Sequence, residues 1–319
     1  MVVDDGEKRW IWMGMLAGMG SAIGTSLYRN YRKAIDSENR RLLNCSDLTE
    51  TDYGLVEYAT YGEGAPVLVS HGRGGGYDQG LAAIRIIGDD DYWIAPSRFG
   101  YLRTPLPEDA TPTAQADAYA ALLDALNIPK TVIVGISAGG PSSLFFALNH
   151  PDRCSALILV SAVTHAIQIN VTGIKRQLWH LRHSSFINWM ISRVLGHLLT
   201  IEDTAGTKFI TQFTPEERFW ISQLLETNLI KRPRYSGILN DNLQISALED
   251  IHLAGITVPT LVIHAHDDKV VPFEHATFAV ENIPHAQLLD FPEGGHMLLS
   301  QINQIKPRAQ SFLDQYKWR

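Results

Sequence analysis

Ser137 lies in Gly135-Ile136-Ser137-Ala138-Gly139, directly after the apolar, β-branched run Thr131-Val132-Ile133-Val134 and directly before the helix-compatible segment Pro141 to Asn149. Flanking glycines let a chain that leaves a strand and enters a helix pass a cramped corner, which lifts the serine hydroxyl clear of the sheet. The helix start behind it offers unpaired N–H groups. That combination suits a nucleophile, although a turn serine without a chemical role has the same local signature. A hydroxyl attacks only when a base takes its proton. Histidine fits that task near neutral pH, and a carboxylate holds the ring in the right tautomer. Two later stretches supply both: Ala265-His266-Asp267-Asp268-Lys269-Val270-Val271-Pro272 and Pro292-Glu293-Gly294-Gly295-His296-Met297. Taken alone, His296 could be a loop histidine and Asp268 a capping residue before Pro272. A fourth element is the loop His71-Gly72-Arg73-Gly74-Gly75-Gly76. It lacks the Gly-Lys-Ser/Thr ending of a phosphate-binding loop, and its glycines leave a main-chain N–H, that of Arg73, free to point into a site as an oxyanion donor.

The elements that must position these residues follow from periodicity. Ser46 to Thr51 and Leu55 to Tyr61 read as a hairpin around Asp52-Tyr53-Gly54, and short apolar strands follow at Pro66–Ser70, Asp91–Pro96, Thr131–Ile136 and Ala156–Ser161. A helix over Thr113 to Leu126 separates two of them. Strand signals return at Val258–His264 and Ala286–Phe291, with a helix over Glu274 to Glu281 between them and another at the C-terminal end. Short apolar strands alternating with helices predict an α/β fold with a mostly parallel sheet covered on both faces. Ser137, Asp268 and His296 then sit beyond the carboxyl ends of strands, the edge at which open α/β sheets bind ligands.

The alternation stops between Thr164 and about Ala254, where helical patterns such as Gln177–Leu199 and Glu216–Ile230, the latter opened by Thr214-Pro215 with Glu217 behind, replace strands. This reads as a helical insertion. Trp179, Phe186, Trp189, Phe213, Phe219 and Trp220 either line an apolar pocket or pack its small core. Lys175, Arg176 and Arg182 either meet an acidic substrate or form a solvated face. His165, His180, His183 and His197 lack a matching set of carboxylates and cysteines at ligand spacing, so no metal is expected on them.

At 319 residues and 45% hydrophobic content the chain can bury a large core, and a net charge of −7 without a basic run excludes a nucleic-acid surface. Cys45 and Cys154, far apart, read as structural thiols rather than a disulfide or zinc site. Trp10 to Tyr28 is free of charged residues and would span roughly 28 Å as a helix, about the thickness of a bilayer core. Gly14-x-x-x-Gly18 and Gly20-x-x-x-Gly24 are spacings that let membrane helices approach closely. A membrane anchor is the expectation, against a cleaved signal peptide, which Asp4, Asp5 and Glu7 disfavour, or a helix lying on the domain. Five Lys/Arg residues follow the segment by Arg41 and two precede it, which would leave the main domain in the cytoplasm.

From Asp47 onward the chain resembles the α/β-hydrolases of the capped serine-hydrolase type. The matching motifs are the loop His71–Gly76, Pro96-Ser97-Arg98-Phe99-Gly100-Tyr101, Gly135–Gly140, Asp268-Lys269-Val270-Val271-Pro272 and Gly294-Gly295-His296, in the order Ser, Asp, His that this family uses. The resemblance implies an eight-stranded sheet and a cap inserted after the sixth strand. It also implies a Ser137-Asp268-His296 triad, with Asp268 chosen over Asp267, and oxyanion donors at the N–H groups of Arg73 and Ala138, with no cofactor or metal. Leu102 and Thr104 stand where many relatives have glycine and serine. Ser137 itself sets the chain apart from the branches that use aspartate there. The expected division is 1–45 as N-terminal helix and linker, 46–163 with 255–319 as core, and 164–254 as cap. The expected activity is ester or related acyl hydrolysis of a small, mainly apolar substrate. The alternatives are carbon–carbon hydrolysis of a dienoate or β-diketone, and a non-catalytic ligand receptor on the same fold. The residues carry no signal for an oligomeric state.

Overall fold

The computed structural model describes residues 5–88, 90–167, 185–194 and 232–318. It comprises two compact units, Met1–Asn44 and Cys45–Arg319. The first is built on one helix, α1 (Asp5–Asn44). The anchor expected within it is corrected: among the described residues no helix is long and apolar enough to cross a membrane. Charge-free length was the signal, but Gly14, Gly18, Gly20 and Gly24, together with Ser21, Thr25 and Ser26, dilute the Met, Leu and Ile content below what hydrocarbon demands. The membrane-anchored location expected through a span at Trp10 to Tyr28 is overturned with it.

The second unit is organised on one sheet of eight strands: β1 (Asp47–Thr51), β2 (Gly54–Tyr61), β3 (Pro66–Ser70), β4 (Tyr92–Pro96), β5 (Thr131–Ile136), β6 (Cys154–Val160), β7 (Thr260–Ala265) and β8 (Gln287–Phe291). Their order is β1-β2-β4-β3-β5-β6-β7-β8. β2 is antiparallel to both its neighbours and every other pairing is parallel. The β1–β2 turn closes at Gly54, whose φ of +90° suits glycine. Thr51 Oγ1 donates to Gly54 O and accepts from Tyr53 N–H there.

Central strands read as unbroken apolar runs because both faces are covered. Leu68, Ile133, Leu157 and Leu159 face one side, packed with Tyr119, Leu122 and Leu123 of α4 (Pro112–Ala125) and Leu144 and Phe146 of α5 (Gly140–Asn149). Val67, Val69, Val132 and Val134 alternate to the other side and are equally buried. There α2 (Tyr77–Ala82), which α3 (Ile84–Ile87) follows, comes so close that a Cβ on Gly80 would stand 2.9 Å from Ala95 Cβ and 3.2 Å from Val69 Cγ1. Thr111 caps α4 by accepting from Ala114 N–H, and Pro112 takes the first position, where its missing N–H costs nothing.

After β3 the chain crosses to β4 on one side, and after α4 it returns to β5 on the other. The crevice beyond the carboxyl ends of β3 and β5, where Ser70 pairs with Gly135, is therefore a topological switch point. The loop after β3 and the turn after β5 meet there.

Of the segment expected to be a helical insertion, the described residues hold two α-helices, α6 (Ser185–Val194) and α7 (Tyr235–Ser246). Trp189 is buried, whereas Phe186 is exposed. Trp179, Phe213, Phe219, Trp220, Lys175, Arg176, Arg182, His180, His183 and His197 lie outside the described residues. Two buried ion pairs join α7 and the residue before it to the rest of the unit: Asp241 with Arg98 in the loop after β4, and Arg234 with Asp78 on α2. Each is bidentate, which is the geometry that offsets desolvating two charges. Cys154 is buried and its thiol pushed up to about 12 by burial, as expected of a structural cysteine, but Cys45 is exposed.

Candidate active site

Ser137 stands between β5 and α5 with φ +51°, a left-handed conformation that is strained for a residue carrying a Cβ. The strain falls on the serine and not on the glycines beside it. Gly135 and Gly139 serve close approach instead: a Cβ at 135 would meet Ser143 Oγ at 2.7 Å, and one at 139 would run into Ser70 O. The corner is thus pressed between β3 and α5, and the hydroxyl is presented at its tip.

The three residues picked out by their chemistry come together. His296 Nε2 lies 3.0 Å from Ser137 Oγ, and His296 Nδ1 lies 2.8 Å from Asp268 Oδ2. A carboxylate only accepts, so Nδ1 carries the proton and Nε2 is left to accept from the serine hydroxyl. Asp268 also takes the N–H groups of Val270 and Val271 on Oδ1, at 2.8 and 3.0 Å. His264 Nε2, 2.9 Å from Val271 O, stands 3.2 Å from Asp268 Oδ2. Burial by itself would raise the Asp268 pKa, but donation from His264 and His296 outweighs it and holds the group well below the usual carboxylate range.

Asp267 is used differently. Its Oδ1 accepts the N–H groups of Gly294 and Gly295 at 2.9 and 2.7 Å, so it braces the loop that carries His296. Adjacent aspartates that look equivalent in the sequence thus divide the work, one meeting the imidazole and the other its backbone.

The glycine-rich loop runs beside the serine. A Cβ on Gly72 would stand 3.2 Å from Ser137 Cβ. Gly72 O accepts from His71 Nδ1–H at 2.7 Å and from Gly75 N–H at 3.2 Å. Because the peptide is planar and trans, fixing that carbonyl aims the Arg73 N–H in the opposite direction. His71 is held in turn, since its Nε2 accepts the Arg98 N–H at 3.0 Å. Burial first, and then the Arg98 charge, lower its pKa well below the ordinary value and keep the ring neutral. Ala138, buried, follows Ser137 at the head of the turn. The sequence placed His71 only within the glycine-rich loop, weighed Asp267 only as the alternative acid and assigned His264 no role. The contacts that define their work are to backbone groups of the next residue or of separate loops, and no spacing rule reports those.

One group has metal-ligand spacing among the described residues: ligand atoms of His165, Glu274 and His275 lie within 4.8 Å of one another. The sequence shows no partners for His165 at ligand spacing, because Glu274 and His275 lie more than a hundred residues further along the chain. Two features disfavour a shared ion. His275 Nδ1 already accepts the Thr164 N–H at 3.2 Å, and the two rings stack at 3.7 Å with planes 17° apart. Imidazole lone pairs lie in the ring plane, so those of stacked rings do not converge on one point.

The same pair has a consequence for stability. Burial first, and then His165 and His264, push the His275 pKa down to about 3. The native state keeps it neutral while the unfolded chain protonates near the ordinary value of 6.5. Its contribution is therefore complete above pH 6.5 and is lost progressively as pH falls toward 3. His275→Asn, whose amide oxygen can take the place of Nδ1 toward Thr164, is expected to lose less thermal stability between pH 7 and pH 4.5 than the parent protein. Equal acid sensitivity of the two would rule this group out as a source of the acid limb.

The family model for the alpha/beta hydrolase fold matches residues 61–301, well over half of the chain. The chain belongs to the alpha/beta hydrolase fold family. The hydrolase is 29% identical over 258 residues to "Uncharacterized hydrolase YcgS" of Bacillus subtilis (strain 168), covering 77% of this chain and 90% of that one. It is 27% identical to the 2-hydroxymuconate semialdehyde hydrolase of Pseudomonas putida, over 74% of this chain and 82% of that one. Among solved structures it is similar to an alpha/beta hydrolase fold protein from Nakamurella multipartita, with a TM-score of 0.70 and 29% identity over 85% of this chain and 98% of the other. The eight-stranded, mostly parallel sheet with helices on both faces is the fold expected from the sequence. The protein is an enzyme of hydrolytic class, and the receptor reading gives way.

Proposed function

We propose that the hydrolase cleaves an ester or related acyl bond of a small, mainly apolar substrate through an acyl-enzyme on Ser137. The reading rests on one observation, the unbroken hydrogen-bonded line Ser137 Oγ, His296, Asp268 ending at the strained corner beside the switch-point crevice. Ser137 Oγ attacks the acyl carbon as its proton passes to His296 Nε2. The N–H groups of Arg73 and Ala138 receive the oxyanion, and Asp268 balances the imidazolium. The tetrahedral adduct collapses when His296 returns the proton to the leaving oxygen. Water, activated by the same ring, then releases the acid. Residues 164–254 form the cap in this reading, and α7, ion-paired to Arg98 through Asp241, is its seat on the core.

The second reading is carbon–carbon hydrolysis of a dienoate. What favours it is the resemblance to a 2-hydroxymuconate semialdehyde hydrolase, since the same serine, base and acid would serve. Parallel assays separate the two. Short-chain p-nitrophenyl esters are expected to turn over with a kcat/KM at least about tenfold above that of a ring-cleavage dienoate. The reverse order would move the assignment to carbon–carbon hydrolysis.

A further inference from the structure

Asp241 lies on α7, more than a hundred residues from each of the motifs on β3 and β5, yet its carboxylate holds two levers on the loop after β3. It clamps the Arg98 guanidinium at 2.8 and 2.7 Å and accepts the Tyr101 hydroxyl at 2.6 Å. Tyr101 OH in turn accepts the Gly74 N–H at 3.1 Å. Arg98, through its own main-chain N–H, holds His71, the ring that fixes Gly72 O. One carboxylate therefore reaches the peptide groups on both sides of Arg73. Tyr101 is fully buried, and a phenol so placed has no water to fall back on.

The seating of α7 is built for this contact. Its first turn lies so close over the Tyr101 ring that a Cβ on Gly237 would run into it, and Gly237 N–H and Ser236 Oγ both donate to Gly100 O, at 2.9 and 2.7 Å. Arg234, just before the helix, adds a third hold by donating to Gly75 O at 2.6 Å while paired with Asp78.

We infer that Asp241 and Tyr101 are positioning residues for the oxyanion donor, tying the aim of the Arg73 N–H to the docking of α7. The inference rests on the serine-hydrolase reading for its effect on rate, but the tie itself is a property of the loop. A donor held in place before reaction stabilises the transition state without reorganising, so loosening it lowers kcat and leaves substrate binding largely intact.

The test uses the full chain and two variants. Tyr101→Phe keeps the ring, which packs edge-on to His71 at 4.8 Å, and removes only the hydroxyl. Asp241→Asn keeps the shape and removes the charge. Three quantities are read: amide exchange of Gly74 by NMR, kcat and KM on a p-nitrophenyl ester, and affinity for a trifluoromethyl ketone, which becomes a tetrahedral adduct on Ser137. In Tyr101→Phe, Gly74 is expected to exchange at least about tenfold faster, kcat to fall about tenfold with KM within about twofold, and ketone affinity to fall with kcat. Asp241→Asn should show the same pattern with a larger loss, about ten- to a hundredfold. Unchanged Gly74 exchange in both variants overturns the inference, as does a loss that raises KM by the same factor as it lowers kcat. If Asp241→Asn does not fold, Tyr101→Phe decides. If the parent protein turns over no ester while Gly74 is protected and becomes labile in Tyr101→Phe, the functional reading fails and the tie stands.

Discussion

Ser137→Ala is expected to lower kcat by about 10⁴- to 10⁶-fold and to abolish labelling by a fluorophosphonate probe, while the protein stays folded. The size of the effect follows from covalent catalysis. Without Oγ there is no acyl-enzyme, and only binding and the oxyanion donors remain to act on an attacking water. A second substitution separates chemistry from strain. Ser137→Gly is expected to be equally inactive but more stable by about 1 kcal/mol, because glycine adopts φ +51° without the penalty a Cβ incurs. Denaturant midpoints of the two variants check this. Retained turnover in Ser137→Ala would remove Ser137 as nucleophile, and a Ser137→Gly protein no more stable than Ser137→Ala would mean the corner is unstrained.

Substitution of the adjacent aspartates should give very unequal results. Asp268→Asn is expected to reduce kcat by about 10⁴-fold, since an amide can turn its N–H toward His296 and favour the tautomer that cannot accept the serine proton. Asp267→Asn should cost less than about tenfold. Its amide oxygen can still accept from Gly294 and Gly295, so the loop keeps its shape. Asp267→Ala, by contrast, strands two backbone donors and is expected to cost about 1–3 kcal/mol of stability. Steady-state kinetics with thermal melts of the three variants distinguish these outcomes. Equal losses of kcat in the two asparagine variants would mean that the acid has been assigned to the wrong residue.

Much of the core was legible because its cause is local. β3, β5 and β6 read as apolar runs because their side chains are buried on both faces, and the helical spacing of apolar residues over Thr113 to Leu126 matches α4 because that face packs on the sheet. The charge-free length of Trp10 to Tyr28 misled for the converse reason. Absence of charge is a weaker condition than the hydrophobicity a bilayer requires, and glycine and serine satisfy the first without supplying the second.

By itself the sequence determined the corner at Ser137, a histidine and a carboxylate beyond the ends of later strands, and the glycine-rich loop beside them. Each depends on backbone conformations and burial that a few consecutive residues dictate. The family resemblance pointed to Asp268, but the residues' own chemistry did not separate it from Asp267: both carry the same carboxylate, and only the path of the chain after β7 aims one at the His296 ring and the other at its loop. Only the tertiary structure brought Asp241 to Arg98 and Tyr101, across 143 and 140 residues of chain. A hydrogen bond acts over about 3 Å, and no periodicity along a strand or helix carries information about a partner that the sheet order alone brings within that reach.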